Sequence, residues 1–150
     1  MSTVISAARE RVWRALTDPE ERVCWDARLL ASIDAPADYP FAGQHVRWRY
    51  RMGGIQMVLH DRPQTVVPPE RLQSALAVGT LHMDQTLTLV AEKGNGKGAS
   101  PRTRLSMSVI AANSVPILGS VIDRFSVREL ATDYIDETLR ALEKWCAGHD

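Results

Sequence analysis

Cysteine is nearly missing from this chain. Cys24 and Cys146 are its two representatives, and they form no CxxC spacing. A disulfide framework and a cysteine-based zinc ribbon are thereby excluded. Histidine is scarce as well: His45, His60, His82 and His149 make neither an HExxH motif nor an i, i+4 pair. No metal site and no metal cofactor is expected from them. A GxSxG nucleophile elbow is also missing, which leaves a triad hydrolase without support. Net charge is zero, because 18 Lys and Arg balance 18 Asp and Glu. Bulk electrostatic capture of nucleic acid or anionic membrane is therefore not expected, although a local patch remains open. Long apolar runs are missing too. The best window, Leu105 to Ile122, is broken by Ser106, Ser108, Asn113, Ser114 and Pro116, and its first half alternates like a strand. Stable membrane insertion is not expected. Residues Met1 to Ser6 show neither the basic start nor the apolar stretch of about 7–15 residues that mark a secretory signal. Reduced thiols in the cytoplasm are the expectation.

What is present is ordinary globular material, 45% hydrophobic and 24% charged over 150 residues. A chain of that length buries roughly 68–70% of its unfolded surface, and one domain over 1–150 is expected. Val4-Ile5 starts a short strand. Ala8 to Thr17 has helical spacing, with Val12, Trp13 and Leu16 on one face. Asp18-Pro19-Glu20-Glu21 restarts a helix: Asp18 caps, Pro19 takes the first helical position, and Glu21 has capping-box spacing. This second helix ends near Cys24-Trp25. Arg28 to Ile33 reads as a strand, and Ala35 to Gly43 as a loop.

Two hairpins follow. His45 to Met52 alternates strictly, with Val46, Trp48, Tyr50 and Met52 on one face and Arg47, Arg49 and Arg51 on the other. Gly53-Gly54 is a two-residue turn, since both positions tolerate positive φ. It pairs Met52 with Ile55, Tyr50 with Met57 and Trp48 with Leu59, apolar against apolar. The second turn, Gly79-Thr80, pairs Val78 with Leu81, Leu76 with Met83, Ser74 with Gln85 and Leu72 with Leu87. Pro68-Pro69 separates the two hairpins. Gly94 to Pro101 is a hairpin tip, not a phosphate loop, because GxxxxGK[ST] spacing is missing. A last strand contains Leu105, Met107 and Val109.

The chain ends in a long helix capped by Ser114, with Pro116 in its first turn. Ile117, Leu118, Val121, Ile122, Phe125, Leu130, Ala131, Tyr134, Ile135, Leu139, Leu142 and Trp145 form its apolar stripe. Seven antiparallel strands spaced about 4.8 Å apart make a sheet roughly 34 Å wide, whereas a helix covers about 10–12 Å. The sheet must curl around the helix, and the enclosed space is filled by large side chains or by a ligand. The fold class is α+β: a curled antiparallel sheet around a C-terminal helix, with two short helices after the first strand.

The opening VISAARERVWRALTDPEERVCWD resembles the START/Bet v 1-like (SRPBCC) superfamily through Val12-Trp13, Thr17-Asp18-Pro19-Glu20 and Trp25. The ending SVPILGSVIDRF…LRALEKW is similar to its polyketide cyclase/dehydrase-like branch. The resemblance implies a helix-grip fold with an interior pocket for apolar or aromatic small molecules. It also implies relatives that are ligand carriers, cyclases, oxygenase domains and chaperone regulators. The oxygenase branch does not fit, for no Rieske-type histidine spacing is present.

On that footing Trp25, Trp48, Tyr50, Met57, Met83 and Met107 are candidate lining residues, and Ser74 and Gln85 candidate polar anchors. Ser74 and Gln85 alternatively satisfy each other across the strands. Asp61 shares the inward parity of Met57 and Leu59, but a bulge at Pro63 would turn it. Asp61 and Tyr50 are candidate proton-transfer groups, and the plainer reading pairs Asp61 with Arg62 or Arg71. Arg47, Arg49 and Arg51 face outward with no carboxylate opposite. Three functions stay open: binding or transport of an apolar, lipid- or polyketide-like molecule; a cyclase or dehydratase; and an interaction module using the arginine face.

Overall fold

The computed structural model describes residues 1–94, 96–113 and 124–149. In chain order these build β1 (Ser2–Ile5), α1 (Arg9–Thr17), α2 (Pro19–Trp25), β2 (Leu29–Ser32) and β3 (Val46–Met52). β4 (Ile55–Val67), β5 (Arg71–Val78), β6 (Leu81–Glu92), β7 (Arg102–Asn113) and α3 (Arg124–Gly148) follow. The strands form one curled antiparallel sheet in the order β1-β7-β6-β5-β4-β3-β2. Consecutive strands are neighbours except at β1, which lies at the far edge beside β7. The α1–α2 segment therefore carries the chain from one edge of the sheet to the other. Both edge strands have four residues, short enough to limit pairing with another chain.

The expected hairpin registers are all present. Tyr50 lies opposite Met57 and Trp48 opposite Leu59 across β3–β4, while Ser74 faces Gln85 and Leu72 faces Leu87 across β5–β6. Gly53, Gly54 and Gly79 adopt the positive φ that these two turns demand. The Met52–Ile55 pair forms as expected but projects beyond the core, with Met52 38% and Ile55 67% exposed. A register shift lies between Pro63 and Thr65 in β4, two residues past Asp61. Such a shift bends its strand, yet Asp61 keeps its inward parity opposite Leu76.

Asp18 joins the two short helices. Its carboxylate accepts from the backbone N–H of Glu20 (3.0 Å) and Glu21 (3.4 Å), while its own N–H closes α1 on the Arg14 carbonyl. The Glu21 side chain does not return to complete the capping box. It pairs instead with Arg11 and Arg14 of α1 and accepts from the Trp145 indole of α3 at 2.7 Å. One carboxylate thus ties three helices together. Glu21→Ala is expected to lower unfolding stability by about 2 kcal/mol, since it removes charge-assisted bonds from a largely buried position. An unchanged urea midpoint would contradict this.

The core has two parts. In the first, Ile5, Val12, Leu16, Leu72, Leu87, Leu89, Leu105 and Met107 pack against Ile135, Leu139, Leu142 and Cys146 of α3. Each such large side chain contributes on the order of 1.5–3 kcal/mol by leaving water. Leu130, expected in the buried stripe, is 59% exposed instead. Helical spacing puts Leu130 on the stripe, yet neither part of the core includes it. The expected cap at Ser114 and the stripe residues Ile117 to Ile122 lie outside the described residues. Among the described residues no helix is long and apolar enough to cross a membrane.

Candidate functional site

The second part of the core lines the concave side of β2–β5. It comprises Leu29, Tyr39, Val46, Trp48, Tyr50, Leu59, Leu76 and Val78, with Val23, Ala35, Met57 and Met83 half-buried at its margin. No described residue of α3 belongs to it. Inside this apolar surface is a chain of polar groups. The Arg22 Nη1 donates to the Tyr39 hydroxyl at 3.4 Å, and that hydroxyl donates to Asp61 Oδ2 at 2.6 Å. The Trp48 indole N–H donates to the same oxygen at 3.3 Å. Asp61 is 1% exposed and Trp48 fully buried. The pairing expected with Arg62 or Arg71 is not made, because both arginines lie on the opposite parity of their strands and are exposed.

Each member of this chain has a local reason for its position. Alternation along β3 and β4 turns Trp48 and Asp61 inward. On α2, Arg22 shares a face with Trp25 and Asp26 at i+3 and i+4. Tyr39 is delivered by the loop between β2 and β3, and its ring meets Trp48 edge-on at 5.8 Å. The Arg22 guanidinium lies over the Trp48 ring, 5.3 Å from its centroid. Burial opposes the Arg22 cation, but its surroundings, the Asp61 and Asp26 carboxylates among them, outweigh burial and hold it charged. Burial, reinforced by Asp61, pushes the Tyr39 phenol upward, so it stays a hydroxyl donor. Two atoms of the chain, Arg22 Nε and Asp61 Oδ1, are buried with no hydrogen-bond partner among the described residues.

A second polar group separates the two apolar regions. Gln85 Oε1 accepts from the Tyr134 hydroxyl of α3 at 2.9 Å. Gln85 thus finds its partner on the helix, although Ser74 lies opposite it in the sheet as expected. Arg28 donates to the Tyr134 carbonyl and the Thr138 hydroxyl, and its guanidinium stacks 4.3 Å from the Tyr134 ring centroid. Asp26 pairs with Arg28 at 3.3 Å. Burial raises the phenols of Tyr134 and Tyr50 alike.

The candidate residues therefore divide. Trp48, Tyr50, Asp61, Met57 and Met83 share the concave surface of β3–β6. Ser74 and Gln85 are buried beside it, one register step from the Asp61–Leu76 pair. Trp25 and Met107 belong to the other part of the core, and the Trp25 indole donates to the Ala15 carbonyl at 2.8 Å. Arg22, Tyr39, Arg28 and Tyr134 were not among the candidates. Arg22 lies on a helix of two turns, too short for its spacing from Trp25 and Asp26 to single it out, and Tyr39 lies in a loop without periodicity. Two shallow clefts, about 340 and 330 Å³, lie along β1, and Met107 is the one candidate residue that borders them. Among the described residues no three or more His, Cys, Asp or Glu gather as a metal site.

No protein-family model and no curated protein matches the chain. Solved structures do match it in shape. A START superfamily protein from Mycobacterium smegmatis superposes with a TM-score of 0.71 at 15% identity, covering 99% of this chain and 95% of that one. Ara h 8.0201, of the Bet v 1 type, gives 0.65 at 6% identity over 99% and 96%. DynU16, from the dynemicin biosynthetic locus, gives 0.62 at 18% identity, covering 97% of this chain and 45% of that one. With the strand order, the α1–α2 crossing and the terminal helix already in place, these likenesses show that the chain has the helix-grip fold of the START/Bet v 1-like superfamily.

Proposed function

We propose that the protein binds an apolar or aromatic small molecule against the concave face of β3–β6, and that this molecule carries a hydroxyl group. One observation carries the reading. Asp61 Oδ1 needs a donor and Arg22 Nε needs an acceptor, and both residues are buried against Trp48 within an otherwise apolar surface. A hydroxyl supplies both functions in one group. Trp48, Tyr50, Leu59 and Leu76 offer the apolar contact, and Met57 and Met83 offer side chains that adapt in shape. The fold-level likeness to START and Bet v 1-type proteins adds weight but does not name a ligand.

Calorimetric titration with 2-naphthol and with naphthalene tests this. A hydrogen bond to a charged group is worth about 1.5–3 kcal/mol, so the naphthol is expected to bind at least about tenfold tighter. Saturable binding of neither probe, or equal binding of both, would overturn the reading.

An enzymatic reading in the cyclase or dehydratase class rests on the short 2.6 Å contact between Tyr39 and Asp61. There Asp61 takes the proton and Tyr39 orients the carboxylate. Tyr50, the other candidate, is raised by burial and fits a neutral donor better than a base. Turnover of a hydroxylated polyketide-like probe that persists in Asp61→Asn would remove this version.

A further inference from the structure

We infer that the β3–β4 hairpin docks the protein onto anionic phospholipid membrane, with the Met52–Ile55 tip entering the headgroup boundary and the arginines behind it engaging lipid phosphates. Two independent features of this ribbon converge. Its tip, Met52-Gly53-Gly54-Ile55, is exposed and carries two large apolar side chains that the core does not cover. Its convex face carries Arg47, Arg49 and Arg51 on β3, with Arg62 on β4 and Arg71 on β5, all exposed. The outward positions of these three strands hold no carboxylate.

Asp34, in the loop that leads into β3, accepts from the Arg47 side chain at 2.8 Å and neutralises that arginine. Arg49 and Arg51 have no ion-pair partner among the described residues. They lie nearest the tip, opposite Val58 and Gln56. Val58, itself exposed, extends the apolar surface up the ribbon. Glu137 of α3 pairs with Arg28 instead, at 3.6 Å.

An apolar tip backed by unpaired cations suits an interface in which acyl chains lie below a layer of anionic phosphates. Each arginine near such a surface strengthens binding about fivefold, and the attraction weakens over a Debye length. An acidic protein partner would use the arginines but leave Met52 and Ile55 without a role. The zero net charge of the whole chain does not oppose this, because what acts at a surface is the local patch.

The test is co-sedimentation with phosphatidylcholine vesicles, with and without 30 mole per cent phosphatidylserine, at low and high salt. Binding to the anionic vesicles alone, weakened by salt, is expected. Arg49→Glu with Arg51→Glu is expected to weaken binding at least about tenfold, and so is Met52→Ser with Ile55→Ser. All four side chains are exposed, so the urea midpoint should not move. Vesicle binding that is absent at low salt, or that survives both double variants, overturns the inference. Binding to poly-glutamate that depends on the arginines but not on Met52 and Ile55, with no vesicle binding, assigns the face to an acidic protein and overturns it too. Naphthol titration in lipid-free buffer reads the interior separately, so failure of one reading leaves the other measurable.

Discussion

Asp61→Ala is expected to cost the fold about 3–5 kcal/mol, the usual result of removing one member of a buried charged network. Three partners are stranded at once. The Tyr39 hydroxyl and the Trp48 indole lose their acceptor, and the Arg22 guanidinium loses the anion at the end of its chain. Against a total stability of about 5–15 kcal/mol this brings the protein near unfolding. Asp61→Asn is expected to fall between, because an amide oxygen still accepts from Tyr39 and Trp48 but leaves Arg22 facing a neutral group. Urea unfolding of the three proteins checks the order. An Asp61→Ala midpoint matching that of the unaltered chain would mean the carboxylate is not engaged as described.

Much of this network's placement was readable in the amino-acid order. Alternation in β3 and β4, fixed by the Gly53-Gly54 turn, put Trp48, Tyr50 and Asp61 on one face, and the structure keeps them there. Parity also argued against Arg62 and Arg71 as partners of Asp61, since outward side chains do not reach an inward carboxylate. Closeness in sequence made them attractive, and that was the weaker criterion. What alternation does not reveal is contact across the fold. Tyr39 is 22 residues from Asp61, in a loop between Pro36 and Pro40 where neither a period of two nor of 3.6 operates. Arg22 sits on a helix of seven residues, two turns, too short for an amphipathic pattern to separate an inward arginine from a solvated one. The same limit hid the Arg47–Asp34 pair, in which a loop carboxylate folds back onto the strand. Leu130 shows the converse: helical spacing marks a stripe but not how far along it the sheet provides a partner.

Replacing Arg22, Tyr39 and Asp61 together by Met, Phe and Leu separates the structural role of this network from its binding role. A buried charged group exchanged for apolar residues of similar volume is often neutral, because desolvation of the charges no longer opposes their attraction. Trp48 then loses its 3.3 Å bond to Asp61, a cost of about 1–3 kcal/mol against that gain. The triple variant is therefore expected to lie within about 2 kcal/mol of the unaltered protein, clearly above Asp61→Ala alone. Its binding behaviour should change more than its stability. Naphthalene is expected to bind as before or better, whereas the advantage of 2-naphthol, about tenfold or more, should disappear. A triple variant as unstable as Asp61→Ala would make the polar chain a structural necessity. A stable one that still prefers the naphthol would move the hydroxyl seat elsewhere, with Gln85 and Tyr134 the next groups to vary. A stable variant that has lost the preference means that this fold does not need its buried arginine and aspartate to stand. Their place in an apolar concavity then follows from the molecule they select.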